Sequence, residues 1–104
     1  MKAYMIMVST DLNITENGIP DLGDERIVGF YIDKEDAFKN VKENDCNINN
    51  TYYNYALIEE VEEGLRNPAG CSNRWFFKYN KETDEYDEIE EPTFLNGFSG
   101  FTIG

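Results

Sequence analysis

Carboxylates are the residues that cluster most densely in this sequence. Between Glu82 and Glu91 seven of ten residues are acids: Glu82, Asp84, Glu85, Asp87, Glu88, Glu90 and Glu91. Glu59, Glu60, Glu62 and Glu63 form a second group, so two short stretches hold eleven of the twenty-one acids. Alternate residues of a strand lie about 6.6 Å apart on one face. Glu88 and Glu90 would then make one row, and Glu85 and Asp87 another on the opposite face beside Ile89. A rigid row of anions resembles a phosphate backbone to a basic groove, whose Lys and Arg meet carboxylates where phosphates would sit. Two other uses of acids fit less well. Glycoside hydrolysis needs a carboxylate pair in a cleft, but acids solvated in an exposed run are not tuned for proton transfer, and 104 residues leave little room for a saccharide cleft. Calcium needs convergent oxygens around a turn glycine, and Thr83-Asp84-Glu85-Tyr86-Asp87 has no such glycine. The competing reading of the run is a solvated hairpin whose charge keeps a sheet edge from aggregating.

Other residue types narrow the chemistry. The chain has no histidine, which excludes a Ser-His-Asp or Cys-His device and every His-ligated metal site. Cys46 and Cys71 lack C-x-x-C spacing and fit reduced thiols. No cofactor is expected, and the chain does not read as an enzyme. The aromatics offer an alternative site. Tyr52, Tyr53 and Tyr55, with Arg66 or Arg74 as cation, could stack on a nucleotide-like ligand, although no glycine-rich phosphate loop accompanies them. Asn13-Ile14-Thr15 and Asn49-Asn50-Thr51 match the glycosylation pattern, read here as chance without a secretion signal.

The elements that must position these groups follow from periodicity and turn residues. The run 2–9, with Tyr4, Ile6 and Val8, predicts a strand buried on both faces. Asn17-Gly18, Pro20 and Gly23 mark a long loop over 10–24. Residues 25–32 read as a second strand. Asp33 is a helix N-cap with acids in the first turn, and Ala37, Phe38 and Val41 form the apolar stripe of a helix ending near Asn44. A third strand is expected over 52–62, a fourth over 74–79 and a fifth over 85–91. The last two form a hairpin in which Trp75, Phe77 and Tyr79 share the core face. The Phe/Gly-rich tail, Phe94 to Ile103, is too apolar to hang free. The expected fold is a single α+β domain spanning 1–104, a mostly antiparallel four- to five-stranded sheet with one helix on a face.

Net charge sets the class of partner. Nine basic residues against twenty-one acids give −12 at pH 7. Such a chain is repelled by nucleic-acid phosphates and anionic membranes, which argues against direct binding to either. A basic protein surface is the natural partner, reached with electrostatic steering. No signal peptide or membrane span is apparent, so a cytoplasmic setting is expected.

Two stretches carry a resemblance. Tyr55-Ala56-Leu57-Ile58-Glu59-Glu60-Val61-Glu62-Glu63-Gly64-Leu65, followed by Arg74-Trp75-Phe76-Phe77-Lys78-Tyr79-Asn80 and Ile89-Glu90-Glu91-Pro92, resembles small uncharacterised acidic proteins of phages and mobile elements of Firmicutes. Val28-Gly29-Phe30-Tyr31 and Lys34-Glu35-Asp36-Ala37 are similar too, so about half the chain is covered. The resemblance implies a phage accessory protein, of a kind that includes inhibitors of host defence such as anti-CRISPR proteins. The expected function is therefore a non-enzymatic inhibitor or interaction protein. Its acidic face would dock on a basic, nucleic-acid-binding host protein through all eleven clustered acids.

Overall fold

The computed structural model describes residues 2–11, 13–14, 16, 20–21, 23–64 and 73–90. The elements run β1 (Lys2–Ser9), β2 (Asn13–Ile14), β3 (Pro20–Asp21), β4 (Glu25–Tyr31), α1 (Lys34–Lys42), a 3-10 turn (Asp45–Asn47), β5 (Tyr55–Glu62), β6 (Arg74–Asn80) and β7 (Glu85–Ile89). Five strands make one antiparallel sheet in the order β4-β1-β5-β6-β7, while β2 and β3 pair with each other. One helix packs on this sheet, so the fold is the α+β architecture that the sequence predicts.

The helix begins where its cap is. The Asp33 carboxylate accepts from the backbone N–H of Glu35 at 2.8 Å and of Asp36 at 3.3 Å, satisfying two donors that the first turn leaves open. Ala37 and Val41 are buried against Ile6, Val8, Ala56, Ile58, Phe77 and Tyr86. Phe38 lies edge-on to Trp75 and Phe77, and the Lys34 ammonium sits 4.4 Å from the Trp75 ring centroid. Each fully buried aliphatic or Phe side chain contributes about 1.5–3 kcal/mol. Trp75, Phe77 and Tyr79 share the helix side, as their alternation requires.

The opposite face is also buried along one row. Met7 pairs with Leu57, Leu57 with Phe76 and Phe76 with Ile89. Met7, Leu57 and Phe76 are all buried, so β1 and β5 are covered on both sides. The non-alternating apolar character of residues 2–9 has this cause. The strands β4 and β5 are parallel to each other, since both run antiparallel to β1, but β1 lies between them. The crossover through α1 thus skips a strand.

The third strand starts later than the sequence suggests, at Tyr55 rather than residue 52. Asn44, Cys46, Asn47, Asn50 and Thr51 all have positive φ, coiling the chain into tight turns. The amides of Tyr52 and Tyr53 both bond to the Asn49 carbonyl, so neither can enter the ladder. Side chains hold these turns: buried Asn44 donates to Asn49 Oδ1 at 2.9 Å and accepts from the Asn49 amide at 3.1 Å. The fifth strand ends at Ile89 rather than residue 91. The readings made for Arg66, Cys71, Glu91 and the tail from Phe94 to Ile103 fall outside the described residues.

Candidate protein-binding edge

The acidic run occupies an edge of the sheet. The strand β7 pairs with β6, and no other described strand lies on its outer side. Register fixes its faces: Asp87 stands opposite Lys78 and Glu85 opposite Asn80 on the side away from the helix, whereas Glu88 stands opposite Phe77 on the helix side. Glu82, Glu85, Asp87, Glu88 and Glu90 are all exposed. A strand advances about 3.3 Å per residue, close to the rise of about 3.4 Å per phosphate on one nucleic-acid strand. A groove straddling the edge could reach both rows.

Two side chains, one buried and one exposed, anchor this edge. Tyr86 is 1 % exposed, and its hydroxyl donates to the Tyr53 carbonyl at 2.8 Å. Burial raises its phenol pKa far above the ordinary value of 10.0. Asp84 sits at positive φ in the β6–β7 turn. Its carboxylate accepts from Asn44 at 3.2 Å and from the Tyr79 hydroxyl, and the bond to Asp84 raises the Tyr79 phenol. Asp84 therefore ties the hairpin to the loop after α1. Asp87 accepts from Asn80 at 3.1 Å. Among the described residues, Glu85, Glu88 and Glu90 engage in no ion pair, and their charge is free to meet a partner.

The second acidic group behaves differently. Glu59 is 1 % exposed in the middle of β5, in register with Arg74, and cannot contact a partner in this conformation. Glu60 is committed inside the fold. It accepts from Asn73 at 2.7 Å, forms an ion pair with Lys2 at 3.0 Å and receives the Tyr4 hydroxyl at 3.5 Å. The bond from Asn73, then that from Lys2, lowers its carboxyl below the ordinary 4.5, and Lys2 is raised in return. Glu62 and Glu63 are exposed, but they lie beyond the Arg74 end of β6. Strand geometry puts Glu62 roughly 16 Å from Glu90. The two acidic stretches do not merge into one row, and the open charge is that of β7 and its turn. Alternation alone could not separate these cases, because Glu59 is buried by what packs over its face of the sheet, while Glu62 on the same strand is exposed.

Of the two cations named for the tyrosine alternative, Arg66 lies outside the described residues, and the fold separates Arg74 from Tyr52 and Tyr53. Tyr52 and Tyr53 pack at 5.1 Å between ring centroids and line a hollow of about 220 Å³ with Asn49, Thr51, Asn54, Tyr79 and Lys81. Arg74 lies at the far end of β6, in a hollow of about 500 Å³ with Trp75, Phe76, Glu88, Ile89 and Glu90. Tyr55 faces Lys78 on the side away from the helix. The tyrosines and Arg74 do not share a site. The cation beside Tyr52 and Tyr53 is Lys81, which sequence reasoning missed.

Comparison with known proteins adds no assignment: no family model matches the chain, and no curated protein or solved structure is significantly similar to it. No helix among the described residues is long and apolar enough to cross a membrane, and no three His, Cys, Asp or Glu side chains among them cluster as a metal site.

Proposed function

We propose that this protein is a non-enzymatic interaction protein whose β7 edge binds a basic surface of a nucleic-acid-binding protein and competes there with DNA or RNA. The observation that carries this reading is the set of exposed acids Glu85, Asp87, Glu88 and Glu90 along β7, in two rows on an anchored strand with β6 as its sole neighbour among the described strands, and Glu82 at its turn. Partner Lys and Arg meet a line of charge spaced like phosphates on a frame that Tyr86 and Asp84 keep rigid. Rigidity matters because ordering a flexible acidic loop at the moment of binding would cost affinity. A cytoplasmic inhibitor of host defence, anti-CRISPR-like, is the setting that the sequence resemblance suggests for such a device.

The test is affinity capture from host lysate at low and at high salt, with the E85Q/D87N/E88Q/E90Q variant in parallel. The expected catch is a basic nucleic-acid-binding protein, released by salt and by added DNA or RNA. Neutralising the four acids should slow association about tenfold or more, with an unchanged circular dichroism spectrum. Equal capture by the quadruple variant would end the charge mechanism.

A further inference from the structure

The hollow beside Tyr52 and Tyr53 is built from different residues than the acidic edge. Its volume is about 220 Å³, and three tyrosine rings, Tyr52, Tyr53 and Tyr79, wall it. Asn49, Thr51, Asn54 and Lys81 complete the lining, so it holds one base and no carboxylate in a chain with twenty-one acids. Tyr52 stands at the rim, 51 % exposed, and its hydroxyl donates to the Asp24 carboxylate. The Tyr79 hydroxyl donates to Asp84. Two of the three rings are thereby set in place before anything enters.

One wall is strained backbone. Asn50 and Thr51 have φ of 47° and 53°, a region that glycine favours and that a β-branched residue such as Thr51 rarely enters. Residues held in this way gather at ligand clamps, where the surrounding structure over-determines them. Here buried Asn44 and Asn49 bond to each other beside the turn, and the amides of Tyr52 and Tyr53 bond to the Asn49 carbonyl. Two polar groups of the lining are left over. The Lys81 ammonium has no ion pair or hydrogen bond among the described residues. Asn54 gives its Nδ2 to the Thr10 carbonyl at 3.4 Å, and its Oδ1 accepts from no described group. The hollow thus offers one donor, one acceptor and several aromatic faces.

We infer that this hollow binds an uncharged nucleobase, free or as its nucleoside. A base brings a π-face for the tyrosines, a stack that every base can make. Its edge sets an acceptor beside an N–H donor, the first for Lys81 and the second for Asn54 Oδ1. Charge selects the uncharged form: the Lys81 ammonium disfavours a cation beside it, and a net charge of −12 repels phosphates. Size agrees. A hollow of about 220 Å³ is smaller than the roughly 300–1,000 Å³ of sites for drug-sized ligands, and it suits one ring system. A sugar ring brings hydroxyls but no π-face, and it leaves the three tyrosines without a stacking partner.

Thermal unfolding and amide chemical shifts of the intact chain, titrated with adenine, adenosine, AMP and glucose, test this. The expected result is saturable stabilisation by adenine and adenosine, with shifted amides at residues 51–54 and 79–81. AMP should bind more weakly than adenosine, and raising salt from about 50 to 500 mM should narrow the gap by screening the phosphate from the acids. Tyr52→Ala, at an exposed position, should weaken adenosine binding about fivefold or more through the lost stack. Lys81→Met should bring a smaller loss. No saturable binding of base or nucleoside up to about 10 mM overturns the inference. So does binding that Tyr52→Ala and Lys81→Met leave intact, or glucose binding as tightly as adenosine. If a variant misfolds, the unsubstituted chain decides alone: amide shifts confined to another part of the surface overturn the site.

Discussion

The strands β4 and β7 bound the same sheet, yet one edge offers Ile27, Val28 and Phe30 to water and the other offers Glu85, Asp87, Glu88 and Glu90. An open edge is a template for another strand, and charge is a common way to refuse it. On that physics the acids of β7 repel a neighbouring acidic strand, and under the proposed function they attract a basic groove. Binding by β7 would then rest on opposite charges and should weaken as salt screens them.

The largest expected effect removes the anchor of the acidic edge. Tyr86→Ala should cost about 3–5 kcal/mol, because a fully buried aromatic leaves a cavity between α1 and the sheet. Tyr86→Phe should cost about 1–3 kcal/mol by leaving the Tyr53 carbonyl without its donor. Chemical denaturation measures both, and a Tyr86→Ala loss below that of Tyr86→Phe would show that β7 is not held from within. Next comes Asn44→Ala, expected to cost about 2 kcal/mol. It removes the bonds to Asn49 and Asp84 and puts alanine at φ 52. Amide exchange should then rise in the β6–β7 turn as well as locally.

A third experiment erases the difference between the edges. The E85Q/D87N/E88Q/E90Q variant should keep its fold but lose the charge that guards β7, so sedimentation should show self-association beyond that of the unsubstituted chain. The smallest effect concerns the acidic group that the fold absorbs. The Glu60 carboxyl is held below 4.5 by Asn73 and Lys2, so its charged form is favoured when folded. That contribution is present above pH 4.5 and is lost as pH falls through the lowered value. The stability gap between the unsubstituted chain and Glu60→Gln should therefore shrink from about pH 7 to about pH 3 in denaturant midpoints.

Much of the fold was legible because local rules agreed with it. Asp33 placed the helix start, alternation placed Trp75, Phe77 and Tyr79 on the core face, and the apolar run at residues 2–9 marked an inner strand. The start of β5 was not legible. Asn50 and Thr51 adopt left-handed backbone beside the Asn44–Asn49 network, itself tied to Asp84, which spacing in the sequence does not reveal. Composition and spacing by themselves determined that this chain is acidic, lacks histidine and folds as α+β, since these depend on residue identity and short-range periodicity. Tertiary packing decided which acids face outward. Glu59 and Glu88 sit in equally acidic stretches, but Glu59 is buried on β5 whereas Glu88 on β7 and Glu62 at the end of β5 are exposed, because exposure depends on what packs over a side chain and not on its spacing in the sequence. The same cause exposes Phe30 while Phe76 is buried.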